Sequence, residues 1–318
     1  MPASFPADPA NAALRLVLLW IGRQYARSTR VDEFESDPAG FAHGTVTVGR
    51  RWPFAFALLN TLAPEATLEF EAARAAVEKR LDLDGRSVAL WLPRGGGLPV
   101  EEPGLSDLAQ AVEAASTLDD GRMELRRPVR LYLRRIDMSG SVVTVTGGLA
   151  GHWAQFTSRV PGTFVLGSSE LLRLPASRDE RDALAERIIS VAALPGADDT
   201  QVIDAEDTWT LNDLGDGGSC VLGSPAPDSD ERSAPLRRNL RKLLREAESV
   251  AAGPAPTRML ILLGAATYAE EEKLSWAIRG MDPALYAGYD LILVVADGLV
   301  RPLLEPPGGT LPWDVPLS

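Results

Sequence analysis

Apolar and polar residues alternate strictly near the middle of the chain, and this pattern constrains the fold more than any other. The apolar positions are Val129, Leu131 and Leu133, and the positions between them are Arg130, Tyr132 and Arg134. A period of two residues is typical of a strand that buries one face. A turn sequence follows at 137–140, and a β-branched run begins at Val142. Residues 121–151 therefore predict a central β-hairpin.

The segments on either side of this hairpin differ in their pattern of helices and strands. The last third alternates helix and strand, with strands predicted at 258–263 and 289–295, which favours an α/β layer with parallel pairing. The first half mixes helices with hairpins. We predict an α+β N-terminal region with the central β-hairpin at 1–175, followed by a smaller α/β C-terminal region at 176–318. Residues 223–235 have the composition of a linker.

The predicted hairpin also carries the most distinctive side chains of the chain. Six arginines lie between Gly121 and Ile136, although the formal net charge of the chain is −12. The candidate binding residues are Arg126, Arg130, Tyr132 and Arg134. Guanidinium groups bind phosphate in a bidentate manner, and a tyrosine between them offers a surface for stacking, so this set predicts an anion or nucleic-acid site. The alternative, favoured by the 44 carboxylates of the chain, is that these arginines pair with acidic helices.

Composition narrows the chemistry that the chain can perform. It has one cysteine, Cys220, and two histidines, so an internal disulfide is impossible and a zinc site would lack ligands. The phosphate-binding sequence G-K-[ST] is absent. These features predict neither cofactor nor metal and favour a protein that is not an enzyme.

The N-terminal segment contains the apolar run Leu16–Ile21, which is too short to cross a bilayer. It belongs to a helix that Asp8 and Pro9 are predicted to begin, with the aspartate as cap and the proline at the first helical position. We therefore expect a cytoplasmic protein with no membrane partner.

An acidic set in the second half of the chain supports a different hypothesis. It comprises Asp204, Glu206, Asp207 and Asp213. The predicted order of helix, strand, strand, helix and strand from Ser177 onward resembles the core of the PD-(D/E)xK nucleases over about 120 residues, and it implies a Mg²⁺ site with an E-x-K motif on the second strand. That strand here reads Cys220-Val-Leu-Gly-Ser224, without either residue, while Glu271-Glu272-Lys273 falls on a predicted helix. The resemblance therefore implies a relative that has lost its chemistry.

The sequence is compatible with three functions. The first is a non-enzymatic binding or adaptor subunit of a larger bacterial-type cytoplasmic assembly, with a protein partner. The second is a protein that binds nucleic acid or nucleotide through the arginine and tyrosine face of the hairpin. The third is a degenerate metal-dependent nuclease-like protein. The missing catalytic sets favour the first function.

Overall fold

The chain forms five α-helices, one short 3-10 helix (Pro283–Leu285) and twelve strands in the part that the structure describes. A computed structural model of the protein describes residues 8–37, 41–50, 52–60, 67–93, 96–116, 121–147, 149–150, 154, 156, 159–175, 177–194, 200–216, 220–223, 233–249, 257–264, 277–278 and 280–305. The helices are α1 (Pro9–Tyr25), α2 (Thr67–Glu78), α3 (Gly104–Ser116), α4 (Arg178–Ala192) and α5 (Ser233–Ser249). The strands are β1 (Thr29–Ser36), β2 (Phe41–Val48), β3 (Trp52–Asn60), β4 (Arg86–Trp91), β5 (Arg122–Asp137), β6 (Ser141–Gly147), β7 (Gly162–Ser168), β8 (Gln201–Asp216), β9 (Cys220–Gly223), β10 (Arg258–Leu263), β11 (Leu291–Ala296) and β12 (Leu299–Leu304).

The chain divides into two compact units that are interleaved in sequence. The first unit comprises residues 1–92, 97–123 and 211–318, and the second comprises residues 93–96 and 124–210. The boundary that we predict between residues 175 and 176 falls inside the second unit.

The first unit contains a six-stranded mixed sheet in the order β1-β2-β3-β10-β11-β12. Strands β1, β2 and β3 form an antiparallel meander, and β10 pairs in parallel with both β3 and β11. Apolar residues of α1 pack on one face of this sheet, and those of α5 pack on the other. Because both faces are buried, the central strands are apolar without interruption, as in Met259–Leu263. The predicted parallel pairing in the last third and the α+β class are confirmed.

The first helix begins where the sequence predicts. The Asp8 carboxylate accepts a hydrogen bond from the backbone N–H of Ala10 at 2.9 Å, and Pro9 occupies the first turn. The helix ends at Tyr25, and Ala26 follows it in the left-handed conformation with φ 51°. No helix in the described part of the chain combines the length and the apolar character needed to span a bilayer.

The second sheet, in the order β6-β7-β5-β8-β4-β9, corrects the pairing of the predicted hairpin. Both predicted strands form, as β5 and β6, but β7 lies between them, antiparallel to β5 and parallel to β6. The physical reason is burial. Strand β7 contributes Phe164 and Leu166 to the core and therefore occupies the inner position. Strand β6 exposes Val142, Thr144 and Thr146, so it can lie at the edge of the sheet.

Candidate binding face

The second unit exposes one face of the sheet that β6, β7 and β5 form. On the other face, Leu133, Val143 and Leu166 pack into one apolar core with residues of α4. Successive residues of a strand point to opposite faces, so the residues between these apolar positions face away from that core. They are Arg130, Tyr132 and Arg134 of β5, Thr163, Val165 and Gly167 of β7, and Val142, Thr144 and Thr146 of β6. We call the surface that they form the open face.

Cross-strand register orders the open face into rows. Two of these rows are Tyr132–Gly167–Thr146 and Arg134–Val165–Thr144. Because Gly167 has no side chain, no β7 side chain stands beside Tyr132, and a Cβ added at Gly167 would lie 3.9 Å from the Cβ of Tyr132. Tyr132 is 41 % exposed. Its ring is therefore accessible to a partner that stacks on the sheet.

Arg130 and Arg134 flank Tyr132 on the open face and are both exposed. The backbone N–H of Arg130 donates to a carboxylate oxygen of Glu170 at 3.3 Å. Neither guanidinium forms an ion pair with a residue that the structure describes. Of the described residues, none therefore neutralises these two charges.

Arg126 is held apart from these three residues. Its Nη2 lies 2.6 Å from a carboxylate oxygen of Glu124 and 2.9 Å from one of Glu180, which belongs to α4. Its Nη1 also donates to the hydroxyl of Thr208 at 3.4 Å. Of the four predicted residues, the structure brings together Arg130, Tyr132 and Arg134, and at Arg126 it shows the pairing with an acidic helix that the sequence leaves as an alternative.

A cavity of about 430 Å³ lies beside Arg126 in the second unit. Its charged lining residues are Arg126, Arg187, Glu180, Asp204 and Glu206. Arg187 also donates to the backbone carbonyl of Asp204 at 2.8 Å. With two cations and three carboxylates, this lining has no positive excess to attract an anion.

The acidic set singled out in the sequence does not converge on one point. Asp204 and Glu206 line the cavity, whereas Asp207 is 2 % exposed and Asp213 accepts a bond from the backbone N–H of Gly215 at 2.8 Å. Within the described residues, no group of three or more histidines, cysteines and carboxylates is placed to hold a metal ion. The motif at 271–273 lies outside the described residues.

Asp207 is instead the centre of a buried hydrogen-bond network. Its Oδ1 accepts from the backbone N–H groups of Leu172 at 2.9 Å and Arg173 at 2.7 Å, and its Oδ2 accepts from the indole N–H of Trp209 at 2.9 Å. The Arg127 guanidinium lies 4.2 Å from the centre of the Trp209 ring. Burial raises the pKa of Asp207, while these hydrogen bonds and the charge of Arg127 act in the opposite direction. This carboxylate ties the segment after β7 to β8.

Most of the large apolar side chains that are exposed belong to the second unit. Among the described residues, the large hydrophobic side chains that are exposed are Leu19, Val100, Tyr132, Ile136, Met138, Val142, Leu194 and Val202. Six of these eight belong to the second unit, and four of the six lie on β5, β6 and the turn between them. Ile136 is at a bulge in the pairing of β5 with β7, and it is 53 % exposed. We call Ile136, Met138, Val142 and Leu194 the apolar rim.

Arg135 holds the parts of the apolar rim in place. Its guanidinium donates to the backbone carbonyls of Ala192 at 3.0 Å and Leu194 at 3.1 Å, and to the sulfur of Met138 at 3.4 Å. The same guanidinium lies 5.1 Å from the centre of the Phe164 ring. A single cation thus links the end of α4 to the turn between β5 and β6.

The apolar rim has no signal in the sequence. Isolated apolar residues such as Met138 and Leu194 carry no periodic signal, and only their exposure marks them as unusual. The chain matches no protein-family model, no curated protein and no solved structure.

Proposed function

We propose that the protein is a non-enzymatic binding subunit of a cytoplasmic assembly, and that the apolar rim and the adjoining open face bind a protein partner. The observation that carries this proposal is that Ile136, Met138, Val142 and Leu194 are all exposed, and that Arg135 bonds both to the Met138 sulfur and to the backbone of Leu194. A contiguous exposed apolar patch on a folded protein is typical of an interaction site, because leaving it in water is unfavourable.

The composition of the surface next to the apolar rim also suits a protein interface. Tyrosine, methionine and arginine are enriched at such interfaces, and tyrosine and arginine supply a large share of the binding energy. The open face presents Tyr132 between Arg130 and Arg134, within two to four residues of Ile136. The apolar rim would provide the desolvated centre of the interface, and the arginines its polar border.

The double substitution Ile136→Asp with Met138→Asp tests this function. We expect a protein partner to co-purify with the wild type from the native host at high salt, because apolar contacts are not screened by ions. The double variant should lose that partner, since two buried carboxylates would face it without counter-charges. The measurement is the amount of partner retained on the tagged protein across a salt series.

The matched control for this experiment is Val100→Asp. Among the described residues outside the second unit, Val100 has the most exposed large apolar side chain, at 66 %. This variant should retain the partner at the wild-type level. Retention by the double variant, or equal loss by both variants, would contradict the proposal.

A second candidate function is binding of nucleic acid or a nucleotide by the open face. The observation that favours it is specific: Arg130 and Arg134 have no carboxylate partner among the described residues, and the exposed ring of Tyr132 lies between them. Basic side chains that alternate with an aromatic ring on an exposed sheet can neutralise phosphates and stack bases.

The double substitution Arg130→Ala with Arg134→Ala tests this second candidate on a single-stranded oligonucleotide. Each phosphate contact contributes about 0.7 to the slope of log affinity against log salt concentration, so the variant should reduce that slope by about 1.4. Arg159→Ala with Arg178→Ala is the control, because it removes the same charge from exposed arginines that pair with Glu186 and Asp182. An equal change in both double variants would rule out a site on the open face.

A further inference from the structure

Strand β6 is the outer strand of its sheet, and no described residue of the strand protects its outer edge by a charge, a proline or a bulge. It ends the order β6-β7-β5-β8-β4-β9, and its only partner in that order is β7. Its sequence is SVVTVTG, which contains no charge and no proline, and its register with β7 runs without a bulge from Ser141 to Gly147. Residues of this type favour strands, and a regular outer edge is a template for a further strand.

The outer strands at the other three sheet edges all carry protective features. Strand β1 contains four charged residues and a bulge between Val31 and Glu33. Strand β12 contains Arg301 and Pro302, with an irregular register against β11. Strand β9 has only four residues. Charges, prolines, bulges and short length are the usual means by which proteins prevent pairing at sheet edges. Only β6 lacks all of them among the outer strands of the two described sheets.

The bonding pattern shows which backbone groups of β6 point outward. The carbonyl of Thr146 accepts a hydrogen bond from the Ser168 hydroxyl of β7 at 2.6 Å, so Thr146 bonds toward β7. Backbone groups of successive residues point to opposite sides of a strand. Hence Thr144 also bonds toward β7, and the N–H and C=O groups of Val143 and Val145 point to the free edge.

We propose that a second copy of this chain pairs with β6, strand against antiparallel strand, about a two-fold axis at Thr144. In this register the outward groups of Val143 face those of Val145 in the partner copy, and Thr144 faces its own symmetry mate on the open face. A two-fold axis of this kind makes the interface self-complementary. The proposal rests on other observations than the function proposed above, although Val142 belongs to both surfaces and the pairing would join two open faces.

The absence of charged residues on β6 and β7 makes this edge suitable for pairing with a second copy. The chain has a formal net charge of −12, so two copies carry like charge and repel each other overall. Strands β6 and β7 contain no charged residue at all, in contrast with the charged edge of β1. The pairs formed across the axis would be valine with valine, threonine with threonine and valine with threonine, which are favourable on adjacent strands.

Charged substitutions at Thr144 test this register. Thr144 is exposed, so Thr144→Lys and Thr144→Glu should both fold, which far-ultraviolet circular dichroism would check. We expect a dimeric wild type by sedimentation equilibrium. Each variant alone should weaken the dimer about tenfold or more, since like charges then meet at the axis, and an equimolar mixture should restore it.

Thr146→Lys is the matched control on the same strand and the same face. Its partner across the axis is Val142, so the substitution brings no like charges together and the dimer should persist. A monomeric wild type over a roughly hundredfold range of protein concentration would overturn the proposal. So would charged Thr144 variants that stay dimeric, or a mixture of the two that stays monomeric.

Discussion

Replacement of Asp207 by alanine is expected to destabilise the second unit by about 3–5 kcal/mol, the range for removing one member of a buried charged network. The side chain is 2 % exposed and accepts hydrogen bonds from Leu172, Arg173 and Trp209. Without its oxygens, the N–H groups of Leu172, Arg173 and Trp209 lose their acceptor, and Arg127 loses the attraction of a negative charge. Urea unfolding followed by circular dichroism measures the change in the free energy of unfolding.

Glu206→Ala is the control for this prediction. Glu206 precedes Asp207 on β8, but its side chain is exposed. Its loss should change the free energy of unfolding by less than about 0.5 kcal/mol, as for most surface substitutions. Comparable destabilisation by the two variants would show that the buried network does not stabilise the second unit.

The pH dependence of stability gives an independent check on Asp207. Burial raises the pKa of this carboxyl above its ordinary value of 3.8, so the folded protein holds the proton more tightly than the unfolded chain. The resulting contribution to stability is fully present below 3.8 and is lost as the pH rises through the folded pKa. The free energy of unfolding of the wild type minus that of Asp207→Asn should therefore fall as the pH rises above 3.8. A difference that rises instead would mean that the hydrogen bonds and Arg127 outweigh burial.

The second large effect is expected for Gly147→Ala, which should destabilise the protein by about 2–4 kcal/mol. Gly147 ends β6 with φ +86°, a conformation that L-residues rarely adopt. A Cβ there would lie 2.5 Å from the backbone C and O of Ser168. Ser168 is fully buried and bonds to both Thr146 and Leu149, so its backbone has little freedom to retreat. Thermal unfolding and urea unfolding both measure the loss.

The variant Gly215→Ala separates the cost of the left-handed backbone at Gly147 from the cost of its close approach to Ser168. Gly215 has φ +81°, but no atom lies within 4 Å of the position of its added Cβ. This variant should lose only about 1–2 kcal/mol, the cost of the left-handed backbone. If Gly147→Ala were no more destabilising than Gly215→Ala, the close approach of Gly147 to Ser168 would not constrain the end of β6.

Local patterns in the sequence were sufficient to predict several helices and strands of this protein. The alternation around Leu131 and Leu133 predicts the strand β5 and correctly assigns its buried residues, because the period of side-chain direction is a property of the strand itself. The cap at Asp8 sets the beginning of α1 for the same reason, since the groups that it satisfies are two residues away. The apolar runs of β10 and β11 likewise predict buried parallel strands.

Only the tertiary structure decided which strands became neighbours and which charges remained available. Alternation in β5 specifies a buried face but not the strand beside it, so it could not show that β7 separates β5 from β6. Arg126 and Arg130 are equivalent in the sequence, yet a carboxylate of Glu180, 54 residues away, neutralises only Arg126. Asp207 shares the buried face of β8 with Ile203 and Ala205, and only the segment at 171–173 supplies the backbone N–H groups that its carboxylate accepts. Contacts between residues distant in sequence determined the candidate site, and the period of apolar residues within a strand does not predict such contacts.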